Sequence, residues 1–77
     1  MVELNIDWND VINKEARGIN EVDFGEVQEF KEGVIVTLKG IVDKEKFYLP
    51  RALVDRYDGH TLWFRITKED APKYKHV

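Results

Sequence analysis

Glu26-Val27-Gln28-Glu29-Phe30-Lys31-Glu32-Gly33-Val34-Ile35-Val36-Thr37-Leu38 reads as a β-hairpin, and the rest of the chain is interpreted around it. Val27 and Phe30 belong to the first arm, Lys31-Glu32-Gly33 supplies the turn, and Val34 to Leu38 is the second arm. A glycine after two polar residues suits the positive-φ position of a short hairpin loop. The second arm is dense in β-branched side chains, which fit a pleated, half-buried surface. Because side chains alternate along a strand, Val34, Val36 and Leu38 are expected to line the core, with Ile35 facing away.

Outward from this hairpin the pattern stays short and turn-punctuated. Phe47-Tyr48-Leu49 reads as a strand ended by Pro50, which cannot donate a ladder hydrogen bond. Arg51-Ala52-Leu53-Val54 is compatible with one helical turn started by that proline. Asp58-Gly59 is a turn signal. Beyond it Leu62, Phe64 and Ile66 alternate with Thr61, Trp63, Arg65 and Thr67, the mark of a strand with one apolar face. From Lys68 onward the chain is polar and carries Pro72, so a short turn and a frayed end are expected. Closely spaced short strands of this kind point to a small all-β barrel or sandwich, a single domain over residues 1–77.

Composition narrows the classes. The 77 residues include no cysteine, so disulfides cannot staple a thin core, and His60 and His76 are the only histidines for a structural metal. Self-association is the staple left to a domain of this size, and a homodimer is expected. The net charge of −3 is unevenly spread. Residues 1–32 hold nine acidic and three basic side chains, whereas residues 33–77 hold six and nine. An acidic chain is poorly suited to the phosphate neutralisation that duplex DNA binding requires. No apolar run is long enough for a membrane span, and Glu3, Asp7 and Asp10 stand where a secretory signal needs positive charge. A cytoplasmic protein without membrane insertion is the expectation.

Four segments, in order, resemble the PRC-barrel family. Trp8-Asn9-Asp10-Val11-Ile12-Asn13-Lys14-Glu15-Ala16 is similar to the family's opening, where an aromatic, an acidic residue and an apolar pair lead through a glycine into the first strand. Phe24-Gly25-Glu26-Val27 matches an apolar-Gly-x-Val segment, Tyr48-Leu49-Pro50-Arg51-Ala52-Leu53-Val54 an aliphatic-Pro-x-x-Leu-Val turn, and Asp58-Gly59-His60-Thr61-Leu62 the closing segment. Asn13 replaces the glycine of the opening, and asparagine is the side chain that best tolerates a left-handed backbone. Asn20-Glu21-Val22-Asp23 lacks the family's turn glycine, which leaves the first hairpin undefined. The resemblance implies a six-stranded, partly open β-barrel with a short helical turn near residues 51–54. Within the family such barrels form the cytoplasmic part of the photosynthetic reaction-centre H subunit and half of a bacterial small-subunit ribosome-maturation factor. Stand-alone archaeal copies are tied to cell-division assemblies. What the resemblance implies is docking without chemistry.

The residues argue the same way. The chain has neither serine nor cysteine, so the two commonest covalent nucleophiles are missing. Thr37, Thr61 and Thr67 fall in or beside strands; His60 sits in a turn and His76 near the last residue, poor places for a positioned general base. The carboxylates alternate with lysines, as in Asp43-Lys44-Glu45-Lys46, the pattern of a solvated hairpin tip. No phosphate loop or metal-ligand spacing is present. No enzyme activity, cofactor or metal is expected. Ile35, Tyr48 and Trp63 are the candidate dimer or partner surface, because they alternate away from the apolar face and tryptophan is enriched at binding hot spots. Trp8 is expected to tuck against the barrel mouth. Arg51, Arg56 and Arg65 with Tyr57 form a candidate basic patch for RNA, weakened by Asp55 and Asp58 in the same segment. The leading expectation is an adaptor that scaffolds a protein assembly, in cell division by resemblance. The alternative is ribosome maturation, through a ribosomal protein or rRNA.

Overall fold

A computed structural model describes residues 6–76. Its elements are a one-turn helix, α1 (Trp8–Val11), and seven strands: β1 (Glu15–Arg17), β2 (Asp23–Lys31), β3 (Val34–Lys39), β4 (Glu45–Pro50), β5 (Val54–Tyr57), β6 (Thr61–Phe64) and β7 (Lys75–His76). The strands form one sheet in the order β5-β6-β1-β2-β3-β4-β7, antiparallel except for the β1–β6 pair. The two outermost strands do not pair with one another, so the barrel stays partly open. Side chains from α1 and from β1 through β6 meet in a single cluster, which requires the sheet to curl around them. Phe24 lies at its centre, edge-on to Phe47 at 5.2 Å and to Phe64 at 6.2 Å between ring centroids. Such aromatic pairs add about 0.5–1.5 kcal/mol each beyond the area they bury.

The all-β, partly open barrel is the architecture expected, and the 3-10 turn Arg51–Leu53 stands where a helical turn was read. The β2–β3 turn is formed by Glu32 and Gly33, both at positive φ (51° and 76°). This is the handedness that matches the twist of the flanking strands. Asn13 has φ 70°, the left-handed backbone that its substitution for glycine implies. The first hairpin turns without glycine through Asn20 and Glu21, at φ 60° and 63°. It is tied by Gly18 N–H to Val22 O and by Ile19 N–H to Ile66 O. Gly18 itself is required by space, because a Cβ there would run into the Ile66 carbonyl and the Phe24 ring.

Three expectations are corrected. First, the facing of β3 is the reverse of the one read from the sequence. Ile35 is fully buried and belongs to the core, so it is not a surface residue. Ile35 pairs with Leu49 and Thr37 with Phe47, all buried, whereas Val36 pairs with Tyr48, which is 42% exposed. Paired residues share a face, so Val34, Val36 and Leu38 lie on the outer wall. The apolar count of the strand favoured the opposite facing, and one buried threonine displaced it. Second, the polar tail does not fray. It makes a 3-10 turn at Ala71–Tyr74 and then the two-residue β7, which pairs with β4 and adds a seventh strand to the six expected. His76 stacks on Tyr48 at 4.7 Å and Lys75 reaches Glu45 at 3.6 Å. Third, Thr61, read as facing out, is buried beside the turn to which its N–H donates.

Candidate docking surface

The outer wall of the β3–β4 hairpin carries Val34, Val36 and Leu38 in a row. Lys31, Glu29 and Glu26 of β2 flank the row on one side, and Pro50, Tyr48 and Lys46 of β4 on the other. Val36 is only 5% exposed even though it faces outward. Its cross-strand neighbours on that face are Glu29 and Tyr48. The strip ends at the hairpin tip, Gly40 to Lys44. There Ile41 and Val42 project almost entirely into water, at 88% and 89% exposure. Two adjacent aliphatic side chains at a protruding tip gain nothing from the fold and give up about 1.5–3 kcal/mol each relative to burial. They are the apolar side chains of the described residues that a partner would gain most by covering. The sequence reading passed over them because Asp43-Lys44-Glu45-Lys46 dominates the segment; the available signal was an Ile-Val pair directly after a glycine, outside either arm.

Beside the tip a groove is lined by Glu15, Arg17, Asp23, Glu26, Leu38 and Lys44. Its floor includes Gly25, at φ 86°, where any Cβ would collide with the Leu38 carbonyl. Arg17 is paired with Glu15 at 3.2 Å. Asp23 caps the Gly25 N–H at 2.8 Å.

The aromatic and basic candidates are placed differently from one another. Tyr48 is on the outer wall of β4, and Trp63 is on β6, four strands away in the sheet and roughly 19 Å along its curve. They do not form one surface. Trp63 is half-buried and held from both sides: its Nε1–H donates to Asp58 at 3.0 Å and Arg56 lies over its ring at 4.8 Å. Arg56 and Arg65 share a groove with Trp63, yet Arg56 is paired with Asp55 at 2.9 Å and Arg65 donates to the Ala52 carbonyl. Arg51 is separated from them, over Trp8 at 5.6 Å, where Trp8 stacks on Phe30 at 4.5 Å and packs against the core as the sequence suggested.

Asp58 organises the β5–β6 turn. Its carboxylate accepts from the Trp63 indole, from His60 N–H at 2.8 Å and from Thr61 N–H at 2.7 Å. The indole hydrogen bond, then the two backbone donors, hold its pKa at about 2. Next to it the Tyr57 hydroxyl donates to Asp10 at 2.6 Å, which ties the β5–β6 hairpin to α1. That hydrogen bond, with partial desolvation and the nearby carboxylates, pushes the phenol up to about 12.

Among the described residues no group of three or more His, Asp or Glu side chains is placed to hold a metal ion, and no helix is long and apolar enough to cross a membrane. No family model, curated protein or solved structure matches the chain. The resemblance to PRC-barrels therefore rests on the four sequence segments quoted above alone.

Proposed function

We propose that this chain is a non-catalytic docking domain, homodimeric in solution and acting as a protein-binding adaptor. The observation that carries the reading is the tip of the β3–β4 hairpin, where Ile41 and Val42 stand in water at the end of an apolar outer strip. The lack of serine and cysteine, and the turn and terminal placement of the two histidines, support a role in binding over chemistry. The PRC-barrel resemblance makes a cell-division assembly the specific setting, and a cysteine-free composition suits a reducing cytoplasm.

The test is affinity capture from cell extract with the wild type and with Ile41→Ser/Val42→Ser. The reading expects proteins retained by the wild type and lost by the double variant at unchanged melting temperature. Identical recoveries from the two would contradict it. A second reading, ribosome maturation through rRNA or a ribosomal protein, is favoured by Arg56, Arg65 and Trp63 lining one groove. It is weakened by the partners those arginines already have. Binding to rRNA that falls steeply with salt, and that Arg65→Ala weakens, would favour it over the first.

A further inference from the structure

We infer that the outer edge of β4 is a strand-addition site, occupied in this fold by the chain's own β7 and open to an extended segment of a partner protein that pairs antiparallel in its place. β3 pairs with all six residues of β4, from Glu45 to Pro50, whereas β7 pairs only with Lys46 and Phe47. β7 is the outermost strand, so among the described residues Tyr48 and Leu49 have no strand beside them on that edge. Such an edge presents backbone donors and acceptors that a further strand can use. The site uses the edge of β4 and not the Ile41–Val42 tip, so it extends the docking reading to a second surface.

The segment that holds this edge is docked by little. From Thr67 to His76 no residue is fully buried, whereas Ile66 just before it is core. Ala71 and Tyr74 pack against the core only in part. Lys75 reaches Glu45 across an exposed 3.6 Å pair, a contact of small worth in water, and His76 lies on the exposed Tyr48 ring. Other ties, from Lys73 to Asp70 and from the Asp70 and Ala71 N–H groups to the Thr67 carbonyl, are internal to the segment and do not fasten it to the barrel. Its underside is not filled: an open cavity of about 710 Å³ runs between Ala71, Pro72 and Lys75 of the segment and Ile19, Val22 and Phe47 of the barrel. Segments with so few buried contacts open locally without global unfolding. β7 also shows what the edge selects. Its lysine, opposite Phe47, meets Glu45, and its imidazole, opposite Lys46, lies on Tyr48. A partner strand with that order of cation and ring keeps both contacts. If it also runs beside Tyr48 and Leu49, it adds ladder hydrogen bonds that β7 does not make, and that surplus displaces β7.

Amide exchange and peptide titration of the full chain, both followed by proton–nitrogen NMR, test this. The probe is the capped peptide Thr-Val-Thr-Lys-His-Thr, which carries the Lys-His order of β7 behind strand-forming residues. Amides of residues 73–76 should exchange roughly tenfold faster, or more, than those of β2 and β3. The peptide should shift the amides of residues 45–49. The chain has no cysteine, so Lys46→Cys/His76→Cys can pin β7 to β4 by a disulfide between directly opposed residues. The oxidised variant should bind the peptide roughly tenfold more weakly than the same variant reduced, because the pinned β7 no longer yields the edge. No shift at residues 45–49 with millimolar peptide overturns the inference, as does equal affinity in the oxidised and reduced forms. So do amides at 73–76 protected as well as those of β3. A reduced variant that dimerises by exchanging β7 and ignores the peptide overturns it too, since a second copy is then the occupant.

Discussion

Two of the hairpins in this barrel, β3–β4 and β5–β6, end in opposite ways. At the β5–β6 turn the polar groups engage one another: Asp58 accepts three hydrogen bonds, Trp63 is clasped between Asp58 and Arg56, and Tyr57 reaches across to Asp10. At the β3–β4 turn Ile41 and Val42 are left in water. The difference teaches that residue type alone does not locate a binding surface. Tryptophan and arginine are the side chains most often found at hot spots, yet here Trp63 and Arg56 stabilise their own turn. The aliphatic pair, less conspicuous in the sequence, is the part the fold leaves over.

Substitutions in and around the two turns sharpen or break this contrast. The largest effect is expected inside the β3–β4 hairpin itself. Ile35→Ala should cost about 2–5 kcal/mol in a urea titration, the range for emptying a fully buried aliphatic site. A cost near zero would return Ile35 to the surface and reverse the facing of β3.

Next comes Asp58→Ala, which should lower the melting temperature clearly more than Asp43→Ala at the other turn, because three donors lose their acceptor. The effect carries a pH signature. The folded carboxyl titrates at about 2, below its ordinary value of 3.8, so its contribution is complete above pH 4 and fades as pH falls through 2. Trp63 fluorescence should follow that transition in the wild type and lose it in Asp58→Asn. The phenol of Tyr57 works in the other direction: raised to about 12, it supports the fold below pH 10 and ceases to as pH climbs through 12. An absorbance titration should therefore show a late-ionising tyrosine that Tyr57→Phe removes.

Thr37→Val should stabilise by about 1 kcal/mol, since the buried Thr37 Oγ1 has no hydrogen-bond partner and valine has the same shape. The smallest change is expected at the tip, where Ile41→Ser should stay within about 0.5 kcal/mol of the wild type in the same titration. A large loss there would mean that the tip packs on its own domain, and the contrast between the turns would disappear.

Much of the fold was legible because local rules and the final structure agree. Gly33 set the β2–β3 turn, Asn13 adopted the left-handed backbone that its position required, and Leu62, Phe64 and Ile66 entered the core as their alternation indicated. The failures have physical causes. A β-bulge between Val27 and Glu29 shifts the register of β2 against β3, and Thr37 is buried, so counting apolar residues gave the wrong facing to β3. The parallel β1–β6 pair and the β7–β4 pair are long-range contacts that no local pattern announces. Of the candidate surface, Tyr48 is exposed as read, Ile35 is core, and Trp63 is held in its own turn. The tip was overlooked because the charges that follow it read as ordinary solvated loop.

A dilution series of amide proton–nitrogen NMR spectra locates the surface on which two copies meet. Shifts on dilution should concentrate at residues 38–44, the β3–β4 tip with the exposed Ile41 and Val42, while the amides around Asp58 and Trp63 stay still. Shifts centred on Trp63, or spectra that do not change with concentration, would contradict it.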